Sequence, residues 1–241
     1  MNKKTLVDFI NKYHLGGLIE KSKLNSQDGK LSVKFISPTK ELVGEISINT
    51  TPISDKEICI HNTSQLLRLL NIVGDEINMD LEGGKTPTRL NISDGGFHVS
   101  YKLADPSLIG TVPAINSPGF SYSFNLNEDV KTKIIKSNNA LNDSVLVWIG
   151  TEDGIEKDQI LLLFGENLNH SNKLSFNVEP ISINDKSKLI PYDSTILKEI
   201  LNANKGIDGI CEVSKEGLMK LTFSNESGDS IYYLIRRSEE R

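Results

Sequence analysis

One segment of the sequence occurs twice, and this repeat constrains the fold more than any other feature. Residues 62–71 (NTSQLLRLLN) return as residues 192–201 (YDSTILKEIL). In the alignment apolar residues meet apolar residues and a basic residue meets a basic one: Leu66, Leu67 and Leu70 meet Ile196, Leu197 and Ile200, and Arg68 meets Lys198. Each copy predicts a short amphipathic helix with a cation on its exposed face. Such a duplicated chain, with basic helix faces, is expected to surround something negatively charged.

Length and charge fit this duplication. The chain has 241 residues, enough for two domains of about 100–200 residues each. With 27 Lys+Arg against 32 Asp+Glu it is not expected to coat nucleic acid over its whole surface, although a local basic face remains compatible with the count. Cys59 and Cys211 lie in apolar runs, which indicates buried thiols in a reducing compartment. We expect no membrane span and no secretory signal.

Four stretches have helical periodicity, and most of the remainder alternates like strand. The predicted helices are residues 4–14, 64–73, 128–141 and 194–205. Asn127 is a predicted cap of the third helix, and Asp193 or Ser194 of the fourth. Turn residues between alternating runs, such as residues 94–96 and 216–217, predict antiparallel hairpins.

The order helix, strands, helix, strands therefore occurs twice. This order predicts an α+β fold of two similar domains, each with antiparallel sheet and two helices. The irregular stretch around residues 107–119 contains prolines at positions 113 and 118 and reads as an extended connector. The predicted organisation is an N-terminal domain of residues 1–106, the connector of residues 107–119 and a C-terminal domain of residues 120–241.

Two regions of the sequence resemble DNA sliding clamps. Residues 101–107 (YKLADPS) are similar to the end of the first domain in phage clamps of the T-even type. The last helix and hairpins, at residues 192–203, 217–223 and 231–234, resemble the closing segment of clamps in general, including proliferating-cell nuclear antigen. The resemblance implies a DNA-clamp fold that closes as a ring, with helices around a central hole and sheets outside.

The ring implied by the resemblance is a homotrimer, because each chain supplies two domains. The strand at residues 97–103 of one subunit would meet the strand at residues 173–178 of the next, and ring closure would pair sheet edges that otherwise invite aggregation. The side chains expected at this subunit interface are Phe97, Val99, Tyr101, Leu174, Phe176 and Val178.

A clamp holds duplex DNA without reading its sequence, so its inner wall needs diffuse attraction to phosphates. Basic residues on the polar helix faces fit this role. The predicted DNA-binding residues are Lys4, Lys12, Arg68, Lys133, Lys136, Lys198 and Lys205. Lys131 lies nearer the buried flank of its helix, and Asp8 dilutes the basic face of the first helix. Acidic residues in turns and strands are expected to face outward: Asp75, Glu76, Glu82, Glu152, Asp153, Glu226 and Asp229.

The connector is the second expected functional surface, because clamps of this kind bind peptide tails of the polymerase and of other replication proteins beside it. The predicted partner-binding residues are Leu108, Ile109, Val112, Ile115, Leu234 and Ile235. The connector's apolar residues could equally tether it to a domain core. The resemblance further implies an ATP-driven clamp loader and action in the cytoplasm, for a phage clamp that of an infected bacterial cell.

We expect no catalytic residues, no metal and no cofactor. The histidines at positions 14, 61, 98 and 170 lack metal-ligand spacing, and residues 83–86 (GGKT) lack the first glycine of a phosphate-binding loop. Two alternatives stay open at this stage. One is a strand-rich viral structural or assembly protein with duplicated domains, and the other is a small enzyme whose site assembles only in space.

Overall fold

Two units of similar construction make up the chain. The computed structural model describes residues 2–51, 53, 55–141, 146–151, 159–165 and 172–238. The first unit runs to Pro113 and includes Asn225–Ser230, and the second comprises Ala114–Ser224 and the residues from Ile231 onward. The division after Pro113 falls inside the stretch that the sequence assigns to the connector.

The first unit contains two helices and two antiparallel sheets. Its elements in chain order are α1 (Lys3–His14), β1 (Ser22–Gln27), β2 (Lys30–Ile36), β3 (Leu42–Ile48), β4 (Lys56–Ile60), α2 (Thr63–Leu70), β5 (Asn78–Glu82), β6 (Arg89–Ser93) and β7 (His98–Lys102). One sheet has the neighbour order β4-β1-β2-β3 and the other β5-β6-β7. Strand β1 pairs with β2 through a turn at Asp28 and Gly29, both with positive φ.

The second unit repeats this construction. Its elements are β8 (Tyr122–Leu126), α3 (Glu128–Ala140), β9 (Leu146–Gly150), β10 (Ile160–Phe164), β11 (Leu174–Val178), β12 (Pro180–Ile183), β13 (Ile190–Asp193), α4 (Ser194–Ala203), β14 (Gly209–Val213), β15 (Leu218–Asn225) and β16 (Gly228–Ile235). Strands β12-β8-β14-β15-β16 are successive neighbours, and β11-β10-β9-β13 form a four-stranded sheet. The antiparallel α+β fold expected from the sequence is confirmed.

The helices begin where side chains cap them. The side chain of Asn127 accepts a hydrogen bond from the Val130 N–H at the start of α3, and Asp193 accepts two at the start of α4. Helix α2 ends at Leu70, three residues before the predicted end: the Ile72 N–H donates to the Leu69 carbonyl, only three residues back, and the Gly74 N–H donates to the Asp94 carboxylate instead of to the helix. The helix limits thus follow local polar contacts that periodicity does not record.

Polar side chains join the two helices of the first unit at both ends. Near the end of α1, His14 Nε2 lies 3.0 Å from Ser64 Oγ in the first turn of α2. At the opposite end, Lys3 Nζ donates to the Val73 carbonyl at 2.7 Å, just beyond α2. The start of each helix therefore lies beside the end of the other, so α1 and α2 run antiparallel.

The second unit has the same arrangement with different residues. Asn138 Nδ2 donates to Ser194 Oγ at 2.7 Å, and Ser194 is the residue that aligns with Ser64 in the repeated segment. At the other end Lys131 Nζ donates to the Ile207 carbonyl at 3.0 Å and pairs with Glu128 at 2.9 Å. Lys131 is only 1% exposed, so this lysine belongs to the interior of the helix pair.

We expect Lys131→Met to destabilise the chain by about 1–3 kcal/mol, because it removes the buried lysine's hydrogen bond to the partly buried Ile207 carbonyl and its pairing with Glu128. The free energy of unfolding from urea titration measures this loss. Lys133→Met is the matched control: its side chain is exposed in the same helix and pairs with Asp129, so its cost should stay below about 1 kcal/mol. Equal losses in the two variants would contradict the role given to Lys131.

Candidate nucleic-acid and partner interfaces

Among the residues that the structure describes, each of the four α-helices carries at least one predicted cation that is not buried. Five of the seven predicted residues are exposed and Lys198 is partly covered: Lys4, Arg68, Lys133, Lys136, Lys205 and Lys198. They lie on the faces away from apolar side chains that are buried, such as Phe9, Leu70 and Ile200. The long stems of lysine and arginine allow such charges to reach toward a ligand from a fixed helix.

The prediction for Lys12 is wrong, because this residue is buried, with only 8% of its surface exposed. The residue lies about 60° around α1 from Phe9, on the flank of the apolar stripe, where its stem is covered. Burial lowers the pKa of the Lys12 amine, while Asp8 and Asp229 act in the opposite direction. The helical period alone assigned Lys12 to the polar face, and the structure places it in the interior of the first unit.

Two of the exposed cations are partly neutralised by carboxylates on the same helix. Lys4 pairs with Asp8, whose hydrogen bond raises the pKa of the Lys4 amine, and Lys133 pairs with Asp129 at 2.7 Å. In the described part of the chain, the remaining cations form no ion pair: Arg68, Lys136, Lys198 and Lys205. Arg68, Lys136 and Lys198 lie on helices, whereas Lys205 lies in the turn after α4, which ends at Ala203 and not at the predicted residue 205.

The expected outward acidic residues are exposed wherever the structure describes them. This group comprises Asp75, Glu76, Glu82, Glu226 and Asp229. Glu152 and Asp153 lie outside the described residues, as does His170. These five acidic residues lie in turns and strands, whereas the predicted cations lie on or next to the helices.

The connector begins with a capped turn and then has no regular secondary structure. Asp105 accepts hydrogen bonds from the backbone and hydroxyl of Ser107, which lower the pKa of its carboxyl, and the 3-10 turn Pro106–Leu108 follows. The Leu108 side chain is 66% exposed, so it does not tether the connector to the core of the first unit. Ile109, Val112 and Ile115 are partly covered.

The two residues of the last strand that were predicted to bind partners, Leu234 and Ile235, differ in their exposure to solvent. Ile235 is 49% exposed at the end of β16. Leu234 is fully buried, because successive side chains of a strand point to opposite faces and Leu234 takes the core side. Leu234 is therefore withdrawn from the partner-binding set, and Ile235 stays.

The strands expected at the subunit interface both lie at sheet edges. Among the described strands, β7 is last in the order β5-β6-β7 and β11 is first in β11-β10-β9-β13. Their free backbone N–H and C=O groups can pair with another strand.

The predicted interface side chains divide between surface and core. Phe97 and Leu174 are exposed, and Phe176 is partly covered. Val99, Tyr101 and Val178 are buried in their own units, which corrects their expected exposure: they lie on the same strand faces as Phe97 and Leu174 but further along the strands, where the core covers them. Any contribution these three positions make to an interface comes through their backbone.

Asp94 organises the turn that leads into β7. Its carboxylate accepts hydrogen bonds from the backbone N–H groups of Phe97 at 2.7 Å and Gly96 at 2.8 Å, and also from that of Gly74. These bonds lower the pKa of Asp94 to about 2. The same carboxylate therefore fixes the exposed Phe97 and the loop after α2. From the sequence, residue 94 was recognisable only as part of a turn.

A basic groove of about 750 Å³ in the second unit was missed by the sequence reasoning. Its five cations come from the loop before β13, the β14–β15 turn and the residues after β16: Lys186, Lys188, Lys215, Arg236 and Arg237. They are dispersed over about fifty positions and share no periodicity, so only the fold brings them together. The adjacent arginines at positions 236 and 237 were the one local signal.

Within the described ranges, no three His, Cys, Asp or Glu side chains gather in a way that could hold a metal ion. Among the helices of the described chain, none has the length and apolar character to cross a membrane.

No protein-family model and no curated protein matches the sequence. Solved structures do match it. The proliferating-cell nuclear antigen (PCNA) of A. fulgidus, solved with the C-terminal region of FEN-1 bound, is 15% identical with a TM-score of 0.77, over 100% of this chain and 98% of that one. PCNA of Entamoeba histolytica is 14% identical with a TM-score of 0.76, over 98% and 96%. The chain therefore has the DNA-clamp fold of PCNA over its whole length.

Proposed function

We propose that the chain is a DNA sliding clamp, a non-enzymatic processivity factor that encircles duplex DNA and tethers a replicative polymerase. The observation that carries the proposal is the match of the entire chain, both units included, to the fold of PCNA. A partial match would have supported only a shared domain. Fold alone does not fix function, so the charges and edges described above supply the second support.

The exposed helix cations are suited to holding DNA without fixing its position. Phosphate contacts from lysine and arginine attract any duplex, and flexible side chains can exchange one phosphate for the next as the ring moves. The residues proposed for this wall are Lys4, Arg68, Lys133, Lys136, Lys198 and Lys205. Because Lys4 and Lys133 share their charge with neighbouring carboxylates, we expect Arg68, Lys136, Lys198 and Lys205 to contribute most.

Closure of the ring is proposed to occur between β7 of one chain and β11 of the next. A head-to-tail contact of this kind uses two different surfaces and closes only after a fixed number of copies. Two clamp units per chain imply a homotrimer. Exposed Phe97 and Leu174, which lie beside these edges, would add apolar contact to the backbone pairing.

The connector is proposed as the docking surface for partner proteins. Its most exposed apolar side chain is Leu108, and Ile109 and Val112 follow it. The A. fulgidus PCNA structure has the C-terminal region of FEN-1 bound, which supports a tail-binding role by analogy. We propose a polymerase tail as one client, an ATP-driven loader as another, and a phage replication system in the cytoplasm of an infected bacterial cell as the setting.

Replacing Lys133, Lys136, Lys198 and Lys205 together by Ala should shorten retention on circular DNA by about tenfold, because fewer phosphate contacts remain in the ring. The measurement is the lifetime of labelled protein on nicked circles after loading, at several salt concentrations. The salt dependence should also become shallower.

The matched control replaces four exposed strand or loop lysines of the first unit, Lys21, Lys30, Lys34 and Lys85, by Ala. This variant has the same net charge as the helix variant and should keep the parent lifetime. Equal lifetimes for the parent, the helix variant and the control variant would show that these lysines do not contact DNA.

Leu108→Glu should reduce stimulation of the cognate polymerase by about tenfold, because it places a charge in the apolar docking surface. Processive synthesis on a primed circle measures the effect. Thr111→Glu, at another exposed connector position, is the control and should retain most of the stimulation. Full stimulation by the Leu108 variant would locate the docking surface elsewhere.

A further inference from the structure

The basic groove of the second unit combines charge with apolar surface. Its cations, defined above, surround Leu189 and Ile235, and no acidic side chain of the described chain lines it. This is unusual for a chain with a formal net charge of −5. A concave surface of this composition attracts negative charge and also offers somewhere to bury an apolar group.

The charges of the groove are available to a ligand. Lys188 and Arg236 are exposed, and neither forms an ion pair with any residue that the structure describes. Lys215 lies 3.8 Å from Asp185, but both side chains are more than half exposed, and water screens such pairs strongly. An incoming carboxylate therefore has little internal competition at these three positions.

The wall formed by the residues after β16 is held in place before any ligand arrives. The Arg236 N–H donates to the Gly217 carbonyl at 2.8 Å, and the Arg237 N–H donates to the Pro191 carbonyl at 2.9 Å. The Arg237 guanidinium also pairs with Asp193 at 3.0 Å, the same carboxylate that caps α4. Because the wall is already ordered, binding pays little to organise it.

The apolar component determines which ligand fits. Ile235 is half exposed at the groove and Leu189 is partly covered, so a ligand gains by covering them. The phosphates of duplex DNA offer charge, but its stacked bases offer no projecting apolar group. A peptide offers both, when carboxylate side chains flank an apolar anchor.

We propose that this groove binds an acidic peptide segment of a partner protein, in which aspartate or glutamate residues flank an apolar anchor. The proposal deepens the docking role and rests on the proposed sliding-clamp function. It assigns the carboxylates to Lys188, Lys215 and Arg236, and the anchor to Leu189 and Ile235. Recognition by these cations would favour acidic tails over neutral or basic tails of equal hydrophobicity.

The test is a selection from a random peptide library on the immobilised full chain. Peptides retained by the parent should be enriched in aspartate and glutamate beside large apolar residues. Fluorescence anisotropy should then show that the selected peptides bind K188E/R236E about tenfold more weakly, with a smaller difference at high salt. The neutral variant K188Q/R236Q, which keeps most of both side-chain stems, should lose less.

The control variant K21E/K85E carries the same charge change on the first unit and should bind the selected peptides like the parent. The proposal is overturned if the parent shows no acidic enrichment, or if the groove and control variants lose equally. It is also overturned if K188E/R236E keeps its peptides and instead loses retention on DNA circles, since the groove would then be a DNA surface. Failure of the clamp function itself appears differently, as a parent that selects acidic peptides but is not retained on DNA.

Discussion

The antiparallel helix pair of each unit is the element on which the proposed DNA surface depends. Apolar packing alone would let two short amphipathic helices slide or rotate. The contacts at their ends, from His14 to Ser64 and from Lys131 to the Ile207 carbonyl, oppose such movement. With the pair fixed, the exposed faces of the helices and the cations on them are fixed too.

These end contacts also show how the duplication is retained. The serine in the first turn of α2 and of α4 is the same residue in the repeat, but it meets a histidine in one unit and an asparagine in the other. The lysines at the opposite ends occupy different positions: Lys3 is the first residue of α1, and Lys131 is the fourth residue of α3. The geometry of the helix pair is thus repeated while most of its chemistry differs.

Much of the fold could be predicted from the sequence, because the helices, their caps and several turns are local in character. The apolar faces of α1 and α4 and the hairpin turns follow from spacing alone. Lys12 could not be placed correctly, since its burial depends on which neighbours cover the flank of α1. Leu234 required knowledge of which face of β16 is buried, because residues 231–235 (IYYLI) are all apolar or aromatic and show no alternation.

The basic groove was beyond prediction for a different reason. Its cations come from three separate loops and termini, and no period or motif connects Lys188 with Arg236. The low net charge also hid it, because −5 is a total over every charged residue and does not show where in the fold the charges lie. When positive and negative residues lie on different surfaces of one chain, the overall composition reveals none of these surfaces.

Closure of the proposed ring fixes the number of subunits. Sedimentation equilibrium at micromolar concentration measures that number directly, from the mass relative to the 26.7 kDa chain. A species of three chains is expected. A strictly monomeric or dimeric species under the same conditions would contradict this expectation.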